Sequence, residues 1–185
     1  MIRQAAVAGQ FYPADPGKLE RMVDSYITAA PVEPAPDNVA AILSPHAGYI
    51  YSGPTMGYAF ARIRGKRPKR VILLGGSHRY RIPTASVFDK GSFSTPLGDF
   101  SVDEAFAEQL SQTFDTCPPD PHLFEHSLEV MLPFLNSAIG TVPIVPVLFG
   151  FPEEDWHERA GEFMASIADP DDLVIASSDL SHYLS

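Results

Sequence analysis

Short runs of consecutive apolar residues alternate along the chain with segments in which apolar residues recur every three or four positions. The continuous runs predict buried strands at 39–43, 71–74, 144–149 and 173–176, and a shorter alternating run predicts a strand at 85–88. The periodic segments predict helices at 16–30, 54–63, 102–110, 125–139 and 154–167. Strands that alternate with helices indicate an α/β fold, with a mixed or mostly parallel sheet covered by helices on both faces.

Three prolines refine this pattern. Pro16 follows the candidate N-cap Asp15 and predicts the start of the first helix. Pro133 lies inside the fourth predicted helix and should kink or split it, because proline cannot donate the helical hydrogen bond. Pro146 lies inside the strand at 144–149 and favours an edge strand or a bulge.

The length of 185 residues fits one domain that spans residues 1–185. The last predicted strand runs into the polar segment 177–183, and no helix follows to cover the sheet. We therefore expect a domain that is truncated at its C-terminal side. A sheet without part of its cover exposes apolar surface, so we also expect self-association.

Composition and charge exclude several classes of protein. With 13 basic and 23 acidic residues, the net charge of −10 repels nucleic acid and anionic membranes. No apolar run approaches the roughly 20 residues that a membrane span needs. The single cysteine, Cys117, excludes an internal disulfide framework and fits a reducing cytoplasm, and it has no adjacent base to activate it. The basic run 64–70 reads as a solvated loop.

Three of the six histidines follow predicted strands: His46 after 39–43, His78 after 71–74 and His182 after 173–176. Ligands of open α/β sheets bind at the carboxyl ends of the strands, where these imidazoles would meet. Histidine is both a metal ligand and a general base. Two histidines with one anionic ligand suit non-haem Fe(II) or a catalytic zinc. The alternative is that each histidine only caps its strand or bonds within a loop.

The remaining histidines are less informative. His126 lies between Glu125 and Glu129, which would share a helix face. These carboxylates could orient a histidine or supply a ligand, or they could simply favour a helix N-terminus, and the sequence leaves both readings open. His122 is expected in a loop and His157 on an exposed helix face, neither with a functional role.

Seven motifs together resemble the Memo family, which is called AmmeMemoRadiSam system protein B in prokaryotes. They are AVAGQFYP (6–13), PHAGYIYSG (45–53), VILLGGSH (71–78), TPLGDFSVD (95–103), EHSLEVMLPFL (125–135), VPVLFG (145–150) and SSDLSH (177–182). They keep the family's order and cover nearly the whole chain. The resemblance implies a fold similar to that of the class III extradiol ring-cleaving dioxygenases, an α/β sandwich that holds Fe(II) in a pocket.

The resemblance also implies a ligand set. The histidines of PHAGY and GGSH, His46 and His78, match metal ligands of a pocket that has been linked to iron and copper. Family members continue past the length of this chain to a Cys-Gly pair whose cysteine is the third ligand. The surroundings of Cys117 do not match that motif. Either the chain is a fragment, or water, another chain or His182 supplies the third ligand.

Roles for the other site residues follow from the same motifs. His182 resembles the residue that acts as an acid/base in the related dioxygenases, and Asp179 lies near it in the sequence. Tyr51 and Phe11 match aromatic positions that line the pocket. The resemblance therefore implies catalytic roles for His182, Asp179 and Tyr51, and substrate contacts for Phe11 and Tyr51.

Two functions are compatible with this resemblance. The first is a cytoplasmic redox or oxygen-activating metalloenzyme that uses iron or copper. The second is a non-catalytic module that binds a peptide or partner, since some family members are described as phosphotyrosine-peptide adaptors. The lack of a basic cluster at the expected pocket rim disfavours the second function. AMMECR1-type and radical-SAM-type proteins are associated with the prokaryotic versions and are the expected partners.

Overall fold

The computed structural model describes residues 1–32, 39–113, 116–151 and 155–180, and within them it has an α/β architecture, as predicted. The strands are β1 (Ile2–Arg3), β2 (Ala41–Ser44), β3 (Val71–Gly76), β4 (Ala85–Val87), β5 (Ser92–Thr95), β6 (Gly98–Ser101), β7 (Thr116–Cys117), β8 (Ile144–Phe149) and β9 (Leu173–Ser177). The helices are α1 (Pro16–Ala29), α2 (Tyr49–Ala61), α3 (Glu104–Thr113), α4 (Leu132–Ile139) and α5 (Trp156–Ile167), with 3-10 helices at Asp120–Leu123 and Glu129–Met131.

A mixed sheet with strand order β2-β9-β3-β8-β4-β7 organises the described residues. Strands β2, β9, β3 and β8 run parallel, whereas β4 runs antiparallel to β8. Because the four parallel strands end at one edge of the sheet, the segments after β2 and β3 meet there, as the sequence predicts for His46 and His78. Strands β1, β5 and β6 form a separate sheet.

The central strands carry the core on both of their faces. Consecutive apolar residues of β3 and β8 are buried, which is what the continuous apolar runs predict. Helices α1, α2 and α4 pack against one another, and α3 packs on β4 and β8. The predicted N-cap of α1 is confirmed, since Asp15 accepts a hydrogen bond of 2.8 Å from the backbone N–H of Lys18.

Both predictions from Pro146, an edge strand or a bulge at 144–149, are wrong. Strand β8 lies between β3 and β4 in the interior of the sheet, and it pairs with β3 in unbroken register over its whole length. Pro146 is tolerated because its ring nitrogen faces the point where the short strand β4 ends. Its carbonyl accepts a hydrogen bond of 3.1 Å from the N–H of Phe88, just beyond the paired residues Val87 and Val147. Only the second bond of that antiparallel pair is lost, and the ladder to β3 stays intact.

Two helix boundaries also differ from the sequence prediction. Helix α2 starts at Tyr49, five residues before the predicted start, and it contains Pro54 in its interior. The predicted split of the segment 125–139 at Pro133 is confirmed, but the helical part begins later than predicted: a 3-10 helix at Glu129–Met131 is followed by α4, whose first turn accommodates Pro133. As a result Glu125 precedes the helical part, and it does not share a helix face with Glu129.

Arg70 and His122 are more buried than the sequence suggests. Arg70 ends the basic run 64–70, but it is buried in ion pairs with Asp103 and Asp172, both at 2.9 Å. His122 lies in a 3-10 helix rather than a loop, and its ring is buried with Nε2 donating to the carbonyl of Ser86 at 3.0 Å. Both side chains therefore belong to the interior.

A buried ion pair attaches the N-terminal strand to the segment that precedes α4. The guanidinium of Arg3 contacts the carboxylate of Glu129 and the backbone carbonyl of Glu125, and its Nε donates to the carbonyl of His122 at 3.0 Å. Glu129 also accepts hydrogen bonds from the N–H groups of Ala6 and Val7 and from the hydroxyl of Tyr12. The sequence pattern gave no indication of this network.

In the part of the chain that the structure describes, none of the helices combines the length and the apolar character needed to cross a lipid bilayer. The expectations of a cytoplasmic location, of truncation and of self-association stay predictions.

The contact between α1 and α2 predicts the effect of two glycine substitutions. A Cβ atom on Gly57 would lie 2.4 Å from the backbone oxygen of Tyr26, whereas a Cβ on Gly161 in α5 would meet no atom within 4 Å. We expect Gly57→Ala to lower the free energy of unfolding by about 1–3 kcal/mol through overpacking. Gly161→Ala should raise it by about 0.5–1 kcal/mol through helix propensity. Urea denaturation of both variants tests this contact, and equal effects would contradict it.

His122 predicts a loss of stability in acid. Burial lowers the pKa of His122 to about 4 from an ordinary value near 6.5, so between these values the unfolded chain binds a proton that the folded chain rejects. The free energy of unfolding should therefore fall from pH 6.5 to pH 4, by as much as about 3 kcal/mol for this residue.

Denaturation curves at several pH values measure this slope. It should become shallower in His122→Gln and stay unchanged in the matched variant His157→Gln, whose residue lies on the exposed side of α5. An unchanged slope in His122→Gln would show that the imidazole is not the group that resists protonation.

Candidate metal centre

His46 is positioned by a tight turn between β2 and α2. The turn is fixed by Asp179, which follows β9 and whose Oδ1 accepts hydrogen bonds from the backbone N–H groups of His46 (2.5 Å) and Ala47 (2.9 Å). The N–H of Ser178 also donates to the carbonyl of Ser44 at the end of β2, at 3.0 Å. The pairing of β2 with β9 thus continues past both strands and orients the imidazole of His46.

His78 is positioned by Glu125. The carboxylate accepts hydrogen bonds from the backbone N–H of His78 at 2.6 Å and from its Nδ1 at 2.9 Å. The same carboxylate accepts the backbone N–H groups of His126 and Ser127, both at 2.9 Å. One buried side chain therefore ties the end of β3 to the segment that carries His126.

The structure brings three histidines together at the edge where the parallel strands end. His46 Nε2 lies 3.3 Å from His78 Nε2, and the ring centroids of His78 and His126 are 4.6 Å apart. Each of the three rings offers one nitrogen, and these nitrogens all lie within 4.8 Å of one another. The three histidines could therefore hold one metal ion. His46 is buried, whereas about half of the His78 side chain is exposed, so the cluster is open on the side of His78.

Burial keeps the imidazoles of His46 and His126 neutral. It lowers the pKa of His46 to about 4 even though the carboxylate of Asp179 acts in the opposite direction, and it also lowers the pKa of His126. Burial alone would raise the pKa of Glu125, but the hydrogen bonds from His78 and Ser127 outweigh it, so that the pKa of this carboxyl is lowered. Near neutral pH, His46 and His126 are uncharged beside an ionised Glu125.

Hydrogen bonding determines which ring nitrogen carries the proton. The carboxylate of Glu125 can only accept, so Nδ1 of His78 carries a hydrogen, and in the neutral ring the lone pair is then on Nε2. Nδ1 of His46 lies 2.7 Å from Oγ of Ser177, a hydroxyl that is 2.6 Å from the carbonyl of Ser127. If that hydroxyl donates to the carbonyl, the lone pair of His46 Nε2 points at the lone pair of His78 Nε2.

Two further groups face the cluster. Oδ2 of Asp179 lies 3.7 Å from His46 Nε2, so this carboxylate offers an oxygen on the same side. Nδ1 of His126 is buried and lies 3.4 Å from Oε1 of Glu125, yet among the described residues it has no hydrogen-bond partner. A buried nitrogen without a partner is expensive in a folded protein, unless a ligand uses its lone pair.

The residues implied by the sequence motifs occupy different places around this cluster. The ring of Phe11 packs against His126, with the centroids 4.6 Å apart. Tyr51 lies on α2 with 79% of its surface exposed. His182 lies outside the described residues. Cys117 belongs to the edge strand β7, on the opposite side of the sheet from β2.

Sequence reasoning left His126 undecided and did not single out Ser177. The signal for His126 is its position beside Glu125. One of the two readings is that a carboxylate here orients a histidine, and Glu125 does so for His78. Glu129 does not contribute to the site, because it binds Arg3. No signal in the sequence identifies Ser177, because its role depends on a carbonyl group 50 residues away in the chain.

Known proteins of one family are similar to this chain over nearly its whole length. The model of the family described as "Memo-like protein" matches residues 3–185. MEMO1 family protein Ta0237 of Thermoplasma acidophilum is 38% identical over 186 residues, which cover 99% of this chain and 68% of the relative. A MEMO1 family protein of Aquifex aeolicus is 37% identical, with the same coverage. MEMO1 family protein MJ0403 of Methanocaldococcus jannaschii is 37% identical over 98% of this chain and 70% of its own length.

The turn at His46 predicts how substitutions of Asp179 affect stability. Asp179→Ala removes the acceptor of two backbone N–H groups, so it should lower the free energy of unfolding by about 1–3 kcal/mol. Asp179→Asn keeps an oxygen in the same place and should lower the free energy of unfolding by less. The control Asp155→Ala removes an exposed carboxylate and should change stability by less than about 0.5 kcal/mol. Equal losses in Asp179→Ala and Asp179→Asn would contradict the capping role.

Proposed function

Because the chain belongs to the Memo family, we propose that it is a metalloprotein that binds iron or copper through His46 and His78. The chain spans about two thirds of the length of its relatives, so we propose this for the site that the chain itself carries. The proposed activity is redox or oxygen-activating chemistry at that metal.

The approach of the two Nε2 atoms carries this proposal. Two nitrogens bound to one metal at about 2.1 Å and at a tetrahedral angle lie about 3.4 Å apart. His46 Nε2 and His78 Nε2 are 3.3 Å apart, which agrees with that geometry. In the tautomers described above both atoms present lone pairs, and a cation between them converts a repulsive contact into an attractive one.

The charges around the cluster support a divalent ion. The carboxylates of Glu125 and Asp179 face His78 and His46 respectively. The two negative charges of these carboxylates balance the charge of a divalent cation. Imidazole nitrogens also suit iron, copper and zinc better than they suit magnesium or calcium, which prefer oxygen ligands.

Each residue then has a distinct role. His46 and His78 bind the ion, Glu125 and Ser177 orient their rings, and His126 and Asp179 are near enough to complete the coordination or to hold a proton. The exposed side of His78 leaves access for a small molecule, and Phe11 limits the space beside His126. Bound iron or copper would supply a Lewis acid and one-electron redox chemistry.

The same charges count against the phosphopeptide-binding alternative. A phosphate group needs positive partners, whereas Glu125 and Asp179 present carboxylates to the cluster. A cation is therefore the better match for this site.

Anaerobic Fe(II) titration of the purified chain tests the proposal. We expect one ion per chain, and we expect His46→Ala or His78→Ala to lower the affinity at least about 100-fold, because each variant removes a direct ligand. Asp179→Asn, which keeps the turn intact, should lower the affinity about 10-fold. Isothermal calorimetry in an inert atmosphere measures these constants, and Cu(I) and Zn(II) serve as comparison ions.

The matched control is His157→Ala, which removes an exposed imidazole on α5 that packs against Phe149 and is not one of the three clustered histidines. Its affinity for Fe(II) should equal that of the unmodified chain. Binding that is equally strong in His46→Ala, or binding that disappears in His157→Ala, would contradict the proposed site.

A further inference from the structure

We propose that Ser177 is a positioning residue that locks His46 in the tautomer with its proton on Nδ1, so that Nε2 is the nitrogen presented to a ligand. The lock is set by the backbone carbonyl of Ser127, which fixes the direction of the Ser177 hydroxyl. The inference deepens the proposed metal site, but the tautomer itself is a property of the protein without metal.

The single hydrogen of the Ser177 hydroxyl determines which nitrogen of His46 carries the proton. A hydroxyl has one hydrogen, and Oγ lies 2.6 Å from the Ser127 carbonyl and 2.7 Å from His46 Nδ1. A backbone carbonyl cannot donate, so its contact with Oγ is a hydrogen bond only if the hydroxyl hydrogen points toward it. Oγ then offers His46 only a lone pair, and Nδ1 must carry the hydrogen.

Burial makes this assignment energetically significant. Ser127 is 0% exposed, Ser177 is 9% exposed and His46 is 6% exposed, so solvent has little access to replace a lost partner. Turning the hydroxyl toward His46 would leave the Ser127 carbonyl without the donor it has here. An unsatisfied buried polar group costs about 1–3 kcal/mol, which corresponds to a tautomer preference of about 5-fold to 150-fold.

The tautomer of His46 with its proton on Nε2 also has a hydrogen-bond partner nearby, so the Nδ1-protonated tautomer must be favoured by Ser177. With its proton on Nε2, His46 would donate a hydrogen bond to His78 Nε2 at 3.3 Å, and this bond would occupy both nitrogens. That arrangement removes the lone pair that an ion needs. Ser177 and the Ser127 carbonyl therefore keep the cluster ready for a cation, against a competing hydrogen bond between the two ligands.

The same segment sets both tautomers. The Ser127 carbonyl acts on His46 through Ser177, and the neighbouring carboxylate of Glu125 acts directly on His78 Nδ1. Oγ of Ser127 also donates to the carbonyl of Gly76 at 2.8 Å, which holds this segment against the end of β3. Nδ1 is thus the protonated nitrogen in both rings, and both Nε2 atoms face the gap between them.

Long-range ¹⁵N–¹H correlation spectra of the imidazoles test the tautomer directly, in the metal-free chain at pH 8. We expect the His46 Nδ1 signal to have the chemical shift of a protonated nitrogen, both without metal and with Zn(II) added as a diamagnetic probe. In Ser177→Ala the metal-free ring should shift toward the other tautomer, and the affinity for Zn(II) should fall about 10-fold to 100-fold.

Ser177→Thr keeps the hydroxyl and should restore both the tautomer and most of the affinity. The matched control is Ser178→Ala at the next position, whose Oγ accepts a 3.3 Å hydrogen bond from the backbone N–H of Leu180, whereas the contact with His46 Nδ1 is made by Ser177. It should leave the tautomer and the affinity unchanged.

A proton on Nε2 of His46 in the unmodified, metal-free chain overturns the inference, and this result does not depend on any variant folding. An Nδ1-protonated ring in a chain that binds no metal would support the tautomer lock and contradict the proposed function instead. The two failures are therefore distinguishable.

Discussion

The contact on which this structure depends is the approach of two imidazole nitrogens, His46 Nε2 and His78 Nε2, to 3.3 Å. Without other partners, two neutral imidazoles at this distance would form an N–H···N hydrogen bond with each other. Here Glu125 and Ser177 occupy the opposite ring nitrogens. That arrangement turns both lone pairs inward, and the cost of the contact is relieved when a cation lies between them. The fold therefore controls the site through the hydrogen-bond partners of the two Nδ1 atoms.

The segment 125–129 connects the site to the rest of the protein. Its first residue, Glu125, orients His78, and its last residue, Glu129, is buried against Arg3 of the N-terminal strand. Arg3 also contacts the backbone carbonyl of Glu125. Breaking a buried ion pair of this kind by removing one partner is strongly destabilising, because the other charge stays buried. The N-terminus thus stabilises the position of a carboxylate that acts on the candidate metal ligands.

Sequence patterns predicted the α/β architecture well, because continuous apolar runs identify buried strands and their alternation with helices indicates a mostly parallel sheet. The convergence of His46 and His78 followed from the same rule, since parallel strands end at one edge of a sheet. The interior position of β8 could not be predicted from Pro146, because proline is tolerated where a neighbouring strand ends. Ser177 could not be identified either, since its role rests on a hydrogen bond to a distant backbone carbonyl.

Crystals prepared anaerobically with Fe(II) and measured on both sides of the iron absorption edge test the central claim most directly. The anomalous difference map should have one strong peak between the imidazoles, about 2.1 Å from Nε2 of both His46 and His78. The Nδ1 atoms should still contact Ser177 and Glu125. A map with no peak between the two rings, or with iron bound only elsewhere on the surface, would contradict the account.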